Sequence, residues 1–264
     1  MNNVIQTPRD ILKTFVKTTP VIADIYLYLR FSHSANVYKG VYNTFQEARN
    51  AISPEFHADY NLLDAHQKPR TNLEILRPIN YPMLAPLTEI LAEASLVLDL
   101  GGGVGVDYYA FRQQLRFLDS LKWLVYEVPA AVEVGQELAA KNQCSNLSFT
   151  TDFQQANRAD LLLTNGALQY LEPSLPDLLA QLNQPPNHLL INYVPCYEGE
   201  TFFTVQNLGF SRCPYKIQSR NELIHRLEDL GYQLVKSWTD PRTCLIPFHP
   251  NCFVDNYHGF YFRR

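Results

Sequence analysis

The chain has 264 residues, with 22 Lys and Arg against 26 Asp and Glu and a formal net charge of −4. That length can bury one α/β domain with an appendage, and the interspersed charges leave no Lys/Arg-rich face for a phosphate backbone, which excludes nucleic acid as the expected partner. Apolar stretches near the N-terminus are broken by Lys, Asp or Pro before they reach signal-peptide or membrane-span length, so the expectation is a cytoplasmic protein without membrane contact.

Up to about residue 82 the chain reads as short helices separated by proline and polar turns: "PRDILKTFVKT" (8–18), "PVIADIYLYLRF" (20–31), "TFQEARNAI" (44–52) and "EFHADYNLLDAHQ" (55–67). Their apolar residues recur every three or four positions, as in helices laid against something larger. The reading is a helical cap or lid over 1–82 and a second unit over 83–264. From "YPMLAPLTEILAEA" onward, apolar runs alternate with amphipathic segments, the pattern of βαβ units and a parallel sheet. Strands are predicted at "LVLDL" (96–100), "KWLVYEV" (122–128), "LSFTT" (147–151), "DLLLTNG" (160–166) and "HLLINYV" (188–194). The first, fourth and fifth are nearly continuous apolar runs, as strands covered on both faces should be.

The stretch "PCYEGETFFTVQNLGFSRCPYKIQ" reads as an irregular, aromatic-rich insertion at about 195–217. "SRNELIHRLEDLGY" then has a Ser or Asn cap, apolar residues at helical spacing and a closing glycine, a well-marked helix. "YQLVKSW" and "HGFYFRR" close the chain as a hairpin-like pair. Together these elements predict a Rossmann-like α/β fold with a seven-stranded, mostly parallel sheet whose last strand runs antiparallel. The five cysteines, Cys144, Cys196, Cys213, Cys244 and Cys252, are odd in number and show no C-x-x-C pair, as reduced thiols would. "CLIPFHPNC" offers Cys244, His249 and Cys252 to a metal, but two prolines and no fourth ligand make it a loop, and no metal is expected.

The first predicted strand runs into "DLGGGVGV". A nicotinamide fingerprint wants G-x-G-x-x-G/A, and from Gly101 the sixth position is Val106. The pattern present is D-x-G-x-G-x-G: Asp99, Gly101, Gly103 and Gly105, with Gly102 in the same run. A carboxylate at the loop repels a pyrophosphate and suits a ligand with an ammonium and a sulfonium, which is S-adenosylmethionine. Glu127, with Val128 beside it, ends the second strand where a carboxylate would accept both ribose hydroxyls. Asp152 is placed to meet the adenine amino group and Phe153 to pack on the base. Asn165 and Gly166 end the fourth strand beside the donor and acceptor positions. Tyr108 or Tyr109 is a candidate for the methionine end, set against core packing of "YYAF".

The order of these motifs resembles class I S-adenosylmethionine-dependent methyltransferases. More narrowly, "YKGVYNTFQEARNA", "VLDLGGGVGVDYYAFR", "LKWLVYEVP", "LLLTNGALQYLE", "FFTVQNLG" and the ending from "GYQLVKSW" to "HGFYF" resemble a little-characterised methyltransferase family often encoded among bacterial surface-polysaccharide genes. The likeness runs from about Tyr38 to the C-terminus. It departs at "INYVPCY", where relatives carry an Arg and this chain has Asn192 and Tyr193. The resemblance implies in-line transfer of a methyl group from S-adenosylmethionine, leaving S-adenosylhomocysteine, to a small-molecule acceptor such as a sugar hydroxyl. Gln169, Tyr170, Tyr197, Phe202, Phe203 and Gln206 are the acceptor-side candidates. A hydroxyl acceptor wants a general base; Tyr170, His249 and His258 are weak candidates and the base is unassigned. His33, His57 and His225 carry no assigned role. The rival readings are a non-catalytic S-adenosylmethionine-binding partner protein and a nicotinamide-dependent oxidoreductase. Aromatic residues near the N-terminus fit either a homodimer or packing onto the core.

Overall fold

The computed structural model describes residues 20–57 and 73–264. The predicted helix over 8–18, and all but the start of that over 55–67, lie outside the described residues. The N-terminal part holds α1 (Pro20–Arg30), β1 (Val37–Tyr42) and α2 (Phe45–Asn50). There follow α3 (Leu84–Leu91), β2 (Leu96–Leu100), α4 (Val106–Phe111), β3 (Lys122–Tyr126), α5 (Pro129–Lys141), β4 (Leu147–Thr150) and β5 (Leu161–Asn165). The C-terminal part consists of α6 (Leu175–Leu179), β6 (His188–Tyr197), β7 (Phe202–Asn207), β8 (Arg212–Ser219), α7 (Arg220–Asp229), β9 (Gln233–Asp240) and β10 (Tyr257–Arg263).

Strands β4, β3, β2, β5 and β6 lie side by side and parallel, and β10 runs antiparallel between β6 and β9. These seven strands are the predicted sheet, with the last strand in the chain antiparallel as expected. Strand order reverses at β2, between β3 and β5, which puts the topological switch point, where open α/β sheets bind ligands, at the carboxyl ends of β2 and β5.

The sheet does not stop at seven. Strand β6 continues past the others, and its Cys196 and Tyr197 pair with Gln218 and Ser219 of β8; β8, β7 and β1 then form an antiparallel extension, making ten strands. Two expectations are therefore corrected. The segment before residue 82 is not helical throughout, because β1 joins the sheet, and 195–217 is not irregular, because it holds the end of β6 and a hairpin. The hairpin closes where Leu208 N–H donates to Ser211 O at 2.8 Å. Its strands were hidden because their buried face carries Thr204 and Gln206, which removes the alternation of apolar and polar residues that marks a half-buried strand.

Side chains alternate across the sheet. Val97, Trp123, Val125, Leu161 and Leu163 share one face with Leu87 and Ile90 of α3, Tyr108 to Phe111 of α4 and Ala139 of α5. Leu98, Leu100, Leu162, Leu189 and Ile191 face the other way, onto α6 and onto Leu223 and Leu227 of α7. Among the described residues no helix is long and apolar enough to cross a membrane.

Candidate functional site

Strand β2 alternates, so Asp99 points to the face of Val97, under the start of α4, where it is completely buried. Its Oδ2 accepts from Trp123 Nε1 at 3.1 Å, and its Oδ1 has no hydrogen-bond partner among the described residues. The glycine run passes directly above: a Cβ at Gly102 would stand 2.3 Å from Asp99 Oδ2. Gly101, at φ +75°, turns the chain against Ala167, whose Cβ would lie 2.3 Å from one on Gly101. Contact thus requires glycine at both positions, and at Gly101 the left-handed conformation requires it as well. Gly105 precedes α4, with its N–H bonded to Gly102 O at 3.1 Å.

Glu127, just beyond β3, closes the edge of this loop. Its Oε1 accepts from Gly103 N–H at 3.1 Å and its Oε2 from Val128 N–H at 2.9 Å. A carboxylate therefore takes the loop donor that a phosphate would use.

The sequence reading missed a second buried acid. Asp107, in the first turn of α4, is 5% exposed, and its Oδ1 accepts from Asn165 Nδ2 at 2.9 Å. Asn165 also donates to Asn80 Oδ1 at 3.1 Å and accepts from Asn192 Nδ2 at 3.1 Å. Asn192 donates to Ile79 O at 3.2 Å and accepts from Trp238 Nε1 at 2.8 Å. This chain ties the glycine loop to the ends of β5, β6 and β9 and to the 3-10 turn Pro78–Met83. Asp107 carried one faint signal, an acid in the first turn after the glycines. Asn80 carried none, because its role depends on a turn distant in sequence.

The electrostatics follow from burial. Asp99 is raised far above the carboxylate range, first by desolvation and then by the charge of Asp107, with Trp123 opposing and Glu127 adding. Desolvation pushes Asp107 up to about 6, against its bond to Asn165 and the charge of Arg77.

The remaining candidates divide. Gly166, at the end of β5, bonds through its N–H to Asn192 O at 2.9 Å and faces the Tyr193 ring. Asp152 is exposed and caps the 3-10 turn Phe153–Ala156, its Oδ1 accepting from Gln154 N–H at 2.9 Å. Phe153 is buried against Tyr126, edge to face at 5.5 Å, rather than exposed as a stacking surface. Tyr109 is buried beside Tyr108 and faces Asn142 at 3.5 Å, on the α5 side of the sheet.

On the acceptor side, Gln169 is buried with Nε2 on Gly166 O at 2.8 Å. Tyr170 donates its hydroxyl to Gln206 Oε1 at 3.0 Å, and burial raises its phenol far above the usual range, so it stands as a neutral group and not a base. Gln206 donates in turn to Asn36 at 3.2 Å and Tyr38 at 3.5 Å. The Tyr38, Tyr215 and Tyr257 hydroxyls meet at 3.2 and 2.8 Å around Tyr257.

Phe202 and Phe203 are adjacent on β7, so they face opposite sides. Phe202 joins the cluster of Tyr38 and Tyr215, with Tyr197 at 5.5 Å, while Phe203 packs with Phe31 and Ile52. Of the acceptor-side candidates Tyr197, Phe202, Phe203 and Gln206, Phe203 therefore faces away from the other three, because a strand alternates. Tyr197 donates its hydroxyl to Asn251 O at 2.5 Å. His249 is half-buried, its N–H on Ile246 O, before the 3-10 turn Pro250–Cys252. His258 pairs in register with Val194 and stacks on Phe260, on the α7 face, while the neighbouring Tyr257 points to the other. Burial and Arg220 lower its pKa.

One further feature lies in the middle of β6, just past the end of its pairing with β5. Tyr193 has φ +62°, a left-handed conformation rare for a bulky residue, at a β-bulge where the pairing with β10 slips. Its ring packs on Tyr257 at 4.8 Å and carries the Arg242 guanidinium at 4.6 Å. Gly101, Ala167, Gly166, Tyr193 and Arg242 thus form a contiguous path from the glycine loop outward.

No protein-family model matches the sequence. No curated protein matches it either. Among solved structures it is similar to the 1,6-didemethyltoxoflavin-N1-methyltransferase of Burkholderia thailandensis (19% identity over 71% of this chain and 78% of that one, TM-score 0.48). It is also similar to the CcbJ methyltransferase of Streptomyces caelestis (17% identity, 76% and 95% covered, TM-score 0.49). A third is a SAM-dependent methyltransferase of Aquifex aeolicus (16% identity, 78% and 98% covered, TM-score 0.49).

Proposed function

We propose that the protein is an S-adenosylmethionine-dependent methyltransferase acting on an oxygen of a sugar or another small molecule. The observation that carries this reading is the set of acids around the loop. Asp99 and Asp107 lie buried under it, and Glu127 occupies the Gly103 N–H. Such a site opposes a pyrophosphate and accommodates a cation with neighbouring hydroxyls. The residues present fit the donor: Gly101 to Gly105 give a surface without side chains at Gly101 and Gly102, Glu127 offers two acceptor oxygens to a diol, and Asp152 stands at the next strand end. Bound there, S-adenosylmethionine supplies an electrophilic methyl group on a cationic sulfur.

The protein's own part is alignment and exclusion of water. Asn165 and Gly166 set the floor between donor and acceptor. Asn80 holds the turn Pro78–Met83 over them through Asn165. Tyr170, Tyr193 and Arg242 edge the acceptor side, where the Tyr170 hydroxyl orients a polar group instead of removing a proton.

Calorimetric titration of S-adenosylmethionine and S-adenosylhomocysteine tests the reading. Micromolar binding of both is expected, with Glu127→Ala weakening it by about tenfold or more, as loss of hydrogen bonds to a charged acceptor would. NADH, titrated in parallel, is expected not to bind. Binding of NADH alone would replace the donor assignment. Two observations favour a second reading, a donor-binding partner protein without chemistry: Tyr170 is held neutral and His258 lies on the other face of the sheet. Methyl transfer from labelled donor to any member of a sugar panel excludes it.

A further inference from the structure

Two aspartates lie under the glycine loop, and only Asp99 belongs to its sequence pattern. Among the described residues Asp99 Oδ1 is buried without a donor, and the Asp107 carboxyl accepts from Asn165. A buried carboxylate oxygen without a donor is stabilised by protonation or by a nearby cation. The groups facing this pair come from four elements. Trp123 of β3 donates to Asp99, and Glu127 beyond β3 adds negative charge beside it. Asn165 of β5 donates to Asp107, and Arg77, before the turn Pro78–Met83, is the positive charge that acts on Asp107 among the described residues. One exposed guanidinium against three carboxylates leaves the pair short of compensation. Desolvation raises the proton affinity of both acids accordingly.

We propose that Asp99 and Asp107 act as one acid pair that keeps a proton in the free protein and releases it to water when a cation settles over the glycine loop. Asp107 is thereby a second acidic residue of the cofactor site. This inference rests on the donor reading above and deepens it. The step balances simply: one carboxyl O–H breaks, the proton leaves to solvent, and the ligand's positive charge takes its place. S-adenosylmethionine brings a sulfonium, while S-adenosylhomocysteine has a neutral sulfur, so the pair favours donor over product most strongly where the proton can be given up.

The experiment is calorimetry of both ligands on the full chain between about pH 5 and pH 7, where the ligands' α-ammonium stays protonated, in two buffers of different ionisation enthalpy. Where the pair is protonated, S-adenosylmethionine is expected to release close to one proton, with affinity rising by about tenfold per pH unit. The affinity for S-adenosylhomocysteine is expected to change much less. The Asp99→Asn, Asp107→Asn double variant is expected to lose the dependence; should it not fold, the wild-type proton count decides alone. Donor binding without proton release, equal pH dependence for both ligands, or a folded double variant that keeps the dependence overturns the inference. Binding of neither ligand overturns instead the donor reading beneath it.

Discussion

At the scale of single residues, the acids under the loop cost stability that the site's charge requires. Asp107 is raised from the usual carboxylate range to about 6 by burial, so the folded state binds more protons than the unfolded one between those values. Stability contributed by its protonated form is full below the unfolded pKa and is lost as pH rises through the folded value. Asp107→Asn keeps an acceptor for Asn165 and removes the buried charge. It is expected to stabilise the protein at neutral pH by on the order of 1–3 kcal/mol, and to gain little near pH 4. Urea unfolding at the two pH values checks this, and a variant less stable than wild type at neutral pH would refute it. Gly102→Ala belongs to the same scale. Its Cβ would lie 2.3 Å from Asp99 Oδ2, and the expected outcome is a loss of about 1–3 kcal/mol together with weakened cofactor binding, read by thermal unfolding and calorimetry.

At the scale of elements, strands whose two faces are both covered were legible, and those with a polar buried face were not. The run "LVLDL" has the bounds of β2, because four of its residues are buried and continuous apolarity marks such a strand. The helix at "SRNELIHRLEDL" was equally readable: Ser219 caps α7, its hydroxyl accepting from Glu222 N–H at 3.3 Å. Strand β6 was read as ending at 194, yet it runs to Tyr197, pairing with β10 as far as Pro195 beyond the bulge at Tyr193 and with β8 at Cys196 and Tyr197. β10 is central to both faces of the sheet. Phe260 on it is completely buried between β6 and α7, and Phe260→Ala is expected to cost about 3–5 kcal/mol in urea unfolding. A cost under about 1 kcal/mol would mean that α7 does not close on the sheet as described.

At the scale of the whole molecule, the three-stranded extension and the seven-stranded sheet share β6, so they are expected to unfold together. Trp123 and Trp238 both pack on the same face of the larger sheet, whereas the extension adds its own strand signal. Coincident transitions by tryptophan emission and far-ultraviolet circular dichroism are the expected result. An early strand loss with the tryptophans unchanged would make the extension a separate unit.

What the sequence by itself determined are the features that depend on neighbours along the chain. The periodicity of the apolar runs specified the parallel strands, the caps and closing glycine specified α7, and the D-x-G-x-G-x-G spacing specified the loop between β2 and α4. What only the tertiary structure decided are the features made by residues far apart. Asn80, Asp107, Asn165, Asn192 and Trp238 come from five separate elements, and no local pattern marks a polar side chain whose partners lie across the sheet. The same reason separates Phe202 from Phe203 and gives Asp99 a buried place beneath the loop. Alternation, burial and long-range contact are decided only once the strands are laid side by side.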